Sequence, residues 1–101
     1  MGQVTEVSPS VPAGLAQARL EIDAIDDQIV DLLARRFAVV ERVVAIKTEA
    51  GIPALLPDRV EEVVARVRAR ASDIGVPPEL ADSLWRELIA CTIRYENQRL
   101  P

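Results

Sequence analysis

The chain contains no histidine and a single cysteine, Cys91. This excludes a Ser-His-Asp or Cys-His nucleophile system and the commoner zinc sites, and a lone thiol cannot close an internal disulfide. Aromatic residues are equally scarce, with one Trp, one Tyr and one Phe, so a core must be built from Ala, Val, Leu and Ile. Small aliphatic packing of that kind suits helices. Basic residues are outnumbered by acidic ones, twelve to sixteen, giving a net charge of −4 and a pI of about 4.8. Nucleic-acid binders carry the opposite balance, because phosphate backbones reward an excess of Lys and Arg. No apolar run approaches the roughly 18–20 residues that span a bilayer, and no secretory core marks the N-terminus, so the expected setting is a reduced cytoplasm without membrane attachment. The opening Met1-Gly2 is not followed by a myristoylation pattern, since Glu6 stands where Ser or Thr is required. Chemistry must then rest on Arg, Lys, carboxylates and hydroxyls, and neither metal nor cofactor is expected.

What is present is helical. The length allows one domain with one modest core. Residues 1–13 mix Ser, Pro, Gly and single charges without periodicity and read as a disordered leader, with the domain following from residue 14. Residues 15–50 contain neither Pro nor Gly, and Gly51 followed by Pro53 is a stop signal. The result is one helix of about 36 residues, roughly 54 Å long at 1.5 Å per residue. Two shorter helices are expected, one from about 57 to 72 ending near Gly75, the other from about 77 or 78 to 99, with 52–56 as a loop. The fold class is all-α. A rod of that length exceeds a compact 100-residue domain, whose radius of gyration is about 13 Å, so a second copy of the chain is expected to cover it through an isologous, intertwined interface.

The first helix carries cations where apolar residues belong. Its stripe of Ile22, Ile25, Ile29, Leu32, Val40 and Val43 advances in steps of three and four, and Arg36 and Lys47 continue the same steps, unlike Arg35 and Arg42. Lys47 is also the sole Lys beside eleven Arg. Such side chains can snorkel at an edge or pair with nearby acids. Several together in a buried place require an anion, from the protein or from a ligand, because an unpaired buried charge costs several kcal/mol. Arg36 and Lys47 lie about 16 Å apart along one face, within reach of one small molecule, whereas Arg19, about 25 Å from Arg36, could join them only from an antiparallel partner. A composite site for a small dicarboxylate is the expectation.

The other helices add candidates. Arg59 sits in a helical first turn, unfavourable for a cation, and is either solvated or a ligand contact. Trp85, Ile89, Thr92 and Glu96 fall on one face of the third helix, placing a hydroxyl and a carboxyl among apolar residues. Glu96 could also serve as counter-ion to Lys47 or to an Arg. Cys91 reads as a small buried hydrophobe, and Arg66, Arg68 and Arg70 as a solvated face.

Over residues 15–99 this set resembles the all-helical (AroQ-class) chorismate mutases. The resemblance rests on Arg19 seven residues before Asp26, on Leu32-Leu33-Ala34-Arg35-Arg36, on Lys47, on Arg59 after a Pro-containing loop, and on Thr92 with Glu96. It implies a domain-interlocked homodimer of one long and two shorter helices. Arg19 from the other protomer and Arg36 would hold the substrate carboxylates, Lys47 a carboxylate and the ether oxygen of the breaking bond, and Arg59 the ring carboxylate and hydroxyl region. Thr92 stands where Ser is frequent, and Glu96 where the family places Gln or Glu facing the ether oxygen. Val60 replaces an acid that helps hold the substrate hydroxyl in bacterial mutases, and Leu56 stands near the family's loop Asp. Val60 and the surrounding loop are similar to the related isochorismate-pyruvate lyases, whereas Glu96 is similar to mutases.

The implied reaction is the unimolecular Claisen rearrangement of chorismate to prephenate in aromatic amino acid biosynthesis. It needs only a held conformer and donors aimed at the ether oxygen. A carboxyl can donate there only when protonated, so activity through Glu96 should fall as pH rises. The alternatives are elimination of pyruvate from isochorismate to give salicylate, and a non-catalytic helical dimerisation or regulatory module on the same fold.

Overall fold

The computed structural model describes residues 11–101, and the leader expected over residues 1–13 lies almost wholly outside them. Three helices make up the described chain: α1 over Ala13–Ala50, α2 over Pro57–Ile74 and α3 over Pro78–Asn97. The all-α expectation holds, with α1 starting two residues before the predicted position. Contacts divide the chain into two units, Met1–Ala38 and Val39–Pro101.

In the first unit every described residue lies in or beside α1, and none is buried. Ile22, Ile25, Ile29 and Leu32 are each about half exposed, at 55, 52, 51 and 54 %. The predicted stripe is therefore helical in spacing and finds no cover within this unit.

The second unit holds the end of α1 together with α2 and α3. Both α1 and α2 stop by the same device. Gly51 and Gly75 adopt φ of 69° and 83°, left-handed values that strain a residue bearing a Cβ. The next amide then reaches back to the helix, Ile52 N–H donating to the Lys47 carbonyl and Val76 N–H to the Ala71 carbonyl, each at 2.9 Å. Pro57 and Pro78 open the two later helices at a position where the missing N–H is no loss, with Asp58 and Glu79 in the first turns favourable to the helix dipole.

The short connection after Gly75 turns α2 and α3 into a hairpin. Ion pairs show its antiparallel sense, because Arg68 meets Asp82 while Glu61, further back, meets Arg86, further on. Its core is Val63, Val64, Val67 and Ala71 from α2 against Ala81 and Ile89 from α3, with Val60, Trp85 and Ile93 packed at the margin. Over its exposed edge Arg86 holds Glu61 with two bonds of 3.0 Å and Asp82 with one of 2.8 Å. Arg86 is the main reason that the Glu61 and Asp82 carboxyls lie below their ordinary range.

Two expectations need correction. Arg68 is not part of a simple solvated face but is half-buried and paired at 3.1 Å with Asp82, because the hairpin brings that acid opposite it. Cys91 is exposed rather than buried in this chain. At about 100° per residue it lies a quarter-turn or more from Ile89, Thr92 and Glu96, which take the inward face.

The C-terminal end of α1 is tied to α3 twice. Tyr95 donates its hydroxyl to Glu41, a bond that raises the Tyr95 pKa above its ordinary value, and Arg99 stacks 3.5 Å over the Tyr95 ring. The second tie is between Lys47 and Glu96.

Candidate active site

Lys47 stands in the last turn of α1 and Glu96 near the end of α3. Their Nζ and Oε1 atoms are 2.9 Å apart, and the side chains are only 13 and 7 % exposed. The apolar stripe of α1 produces this burial: Val40 is buried and Val43 half-buried on the same face, so the Lys that continues the stripe is carried inward with them. On α3, Ile89, Thr92 and Glu96 are all buried, so the carboxyl is carried inward by the same logic. A charge-assisted bond between groups so withdrawn from water compensates part of their desolvation.

The ammonium has a second acceptor. Lys47 Nζ also donates to the backbone carbonyl of Ala54 at 2.9 Å, and Ala54 itself is 6 % exposed. An ammonium has three N–H groups. Two are committed, and no further protein acceptor faces the third among the described residues. The Glu96 Oε2 is likewise without a protein partner among them, Oε1 being the atom that receives Lys47. The pair therefore presents one unspent donor and one unspent carboxyl oxygen, side by side. An open cavity of about 350 Å³ lies at this end of the molecule, lined by Lys47, Thr48, residues 51–54, Asn97 and Leu100 among others.

The remaining expected residues are distributed more widely. Thr92, one turn before Glu96, is buried and donates its hydroxyl to the Leu88 carbonyl at 2.9 Å. Arg59 is exposed and pairs with Glu62 one turn on at 2.6 Å, which offsets its unfavourable place in a first turn. Val60 packs at the margin of the α2–α3 core. Arg36, half-buried, and Arg19, exposed, belong to the other unit. Of the expected set, the structure brings together Lys47 and Glu96, with Thr92 on the same face of α3. Sequence reasoning missed the Ala54 carbonyl, and nothing in the residue types signals a backbone oxygen.

The family model described as chorismate mutase type II matches residues 18–97, a span that includes both Lys47 and Glu96. The chain belongs to the type II chorismate mutase family. Among relatives, the T-protein of Enterobacter agglomerans is 33 % identical over 87 residues, covering 86 % of this chain and 23 % of its own length. The chorismate mutase of Methanocaldococcus jannaschii is 32 % identical, covering 85 % of this chain and 87 % of its own length. The 4-amino-4-deoxychorismate mutase of Streptomyces venezuelae is 30 % identical, with coverage of 82 and 81 %. The chain thus spans less than a quarter of the T-protein but most of the other two.

Within that family frame the matched span takes in Arg19, Arg36, Lys47, Arg59, Val60, Thr92 and Glu96 together. Among the described residues no helix is long and apolar enough to cross a membrane.

Proposed function

We propose that the chain is a chorismate mutase, converting chorismate to prephenate without a covalent intermediate. The observation that carries this reading is the Lys47–Glu96 pair, nearly buried and holding one uncommitted N–H beside one uncommitted carboxyl oxygen. In the rearrangement one carbon–oxygen bond breaks as a carbon–carbon bond forms, and negative charge gathers on the ether oxygen. The third N–H of Lys47 is the donor for that oxygen. Glu96 supplies a second donor when protonated, with Oε1 still accepting from Lys47 and Oε2–H turned to the substrate. The substrate is a flexible dianion, and Arg36 and Arg19 hold its carboxylates, which selects the compact reactive conformer.

Arg19 reaches that site from a second copy of the chain. Support for an intertwined homodimer comes from the half-exposed Ile22, Ile25, Ile29 and Leu32, a continuous apolar stripe that a lone protomer would leave in water. Arg59 and Thr92 complete the binding surface, and Val60 bounds it where its side chain leaves the α2–α3 core.

One experiment separates the readings. Purified protein is incubated with chorismate, with 4-amino-4-deoxychorismate and with isochorismate, and prephenate, its amino analogue and salicylate are measured. Prephenate formation supports the proposal. Preference for the amino substrate would favour the same rearrangement on the compound named for the Streptomyces relative. Salicylate would favour the lyase, and no turnover of any of the three would favour a non-catalytic module.

A further inference from the structure

The loop between α1 and α2 is stitched to one residue at both ends. The Lys47 carbonyl accepts the Ile52 amide at 2.9 Å, and the Lys47 ammonium donates to the Ala54 carbonyl at 2.9 Å. Gly51, in a left-handed conformation, precedes the first of these bonds, Pro53 with its fixed φ lies between them, and Pro57 follows at the start of α2. The loop therefore has little freedom, and the Ala54 carbonyl is a stationary acceptor in a buried place.

From this we infer that Ala54 is a positioning residue: its backbone carbonyl, together with Glu96 Oε1, fixes the rotation of the Lys47 ammonium so that the one remaining N–H points at the substrate. The inference rests on the proposed mutase reading and adds to it the element that aims the donor. An ammonium is a freely rotating point donor with three equivalent N–H groups. Held by a single acceptor it would spread its remaining two over a cone. Two acceptors on different elements, one on α3 and one on the loop, leave a single direction. Such an arrangement lowers the cost of orienting the donor at the moment charge develops on the ether oxygen. A side chain could have supplied the second acceptor, but a second carboxylate would compete with an anionic substrate. A carbonyl holds the cation without adding negative charge.

The test replaces Leu55 by its α-hydroxy acid counterpart, which turns the amide after Ala54 into an ester and weakens the Ala54 carbonyl as an acceptor. The Leu55 N–H that this removes donates to no backbone carbonyl among the described residues, so no other backbone bond is lost with it. Because Lys47 is the sole lysine, a ¹⁵N-lysine label yields one side-chain signal that reports its ammonium directly. The expected result is a fall in kcat of about 3- to 10-fold, the worth of one weakened hydrogen bond, with KM within about twofold, a displaced Lys47 signal, and no further loss when the ester is placed in Lys47→Ala. An ester protein with wild-type kcat, or one whose loss persists unchanged in Lys47→Ala, overturns the inference while leaving mutase activity standing. Wild-type protein inert toward chorismate would remove the underlying reading, and this inference with it.

Discussion

Lys47 and Glu96, 49 residues apart in sequence, meet at 2.9 Å between the end of α1 and the end of α3. The contact does two jobs. It ties the long helix to the hairpin, and it places a cation and a carboxyl in a nearly dry spot with capacity left over for a ligand.

Those two jobs can be separated by mutation. Lys47→Ala leaves Glu96 buried beside the Ala54 carbonyl with no cation between them, and should lower stability by about 3 kcal/mol, the lower end for breaking a buried pair. Lys47→Ala with Glu96→Gln removes the stranded charge and should regain most of that stability without regaining activity. Denaturant unfolding of the two variants and the wild type checks this.

Residue 96 should matter as a donor to the ether oxygen. Glu96→Gln keeps a donor in its amide and should retain activity, whereas Glu96→Ala keeps none and should lose about 100-fold in kcat. Steady-state kinetics on the two variants measure the difference, and equal rates would remove Glu96 from the donor role.

The α2–α3 hairpin carries a pH signature. Arg86 lowers the carboxyl pKa of both Glu61 and Asp82, so the stability it lends is present above their unfolded values and is lost as pH falls through the depressed folded ones. Arg86→Ala should therefore be less stable than wild type at neutral pH, and the gap should close below about pH 4. Thermal unfolding of both proteins across that range measures it.

Much of this architecture is legible in the order of the amino acids alone. Gly51, Gly75, Pro57 and Pro78 punctuate the helices because backbone conformation near Gly and Pro is decided locally. Lys47 is recognisable as a cation on an apolar stripe, and Glu96 as a carboxyl on one, because helical periodicity alone puts them there. That the two choose each other is one of several pairings the sequence leaves open. Cys91 and Arg68 escape sequence reasoning for a related cause: whether a residue beside the inward face is covered depends on what the neighbouring helix presents, and for Arg68 that is Asp82 of α3. The Ala54 carbonyl leaves no trace at all, since every residue has one.

The half-exposed stripe on α1 gives a prediction about assembly. Ile29→Lys should abolish the proposed homodimer by placing a charge in its apolar seam, and activity should fall with it because Arg19 would no longer arrive from a partner. Light scattering and the chorismate assay on the same sample should show both losses together. A fully active monomer would contradict the shared site.

The shared-donor mechanism is tested most directly by the rate of chorismate consumption by the wild type and by Lys47→Ala, with prephenate identified as the product. The wild-type reaction should proceed without a cofactor, and its kcat should fall about 100- to 1,000-fold when the Lys47 donor is removed. Wild-type protein that leaves chorismate untouched, or a Lys47→Ala variant within a few-fold of it, would rule that mechanism out.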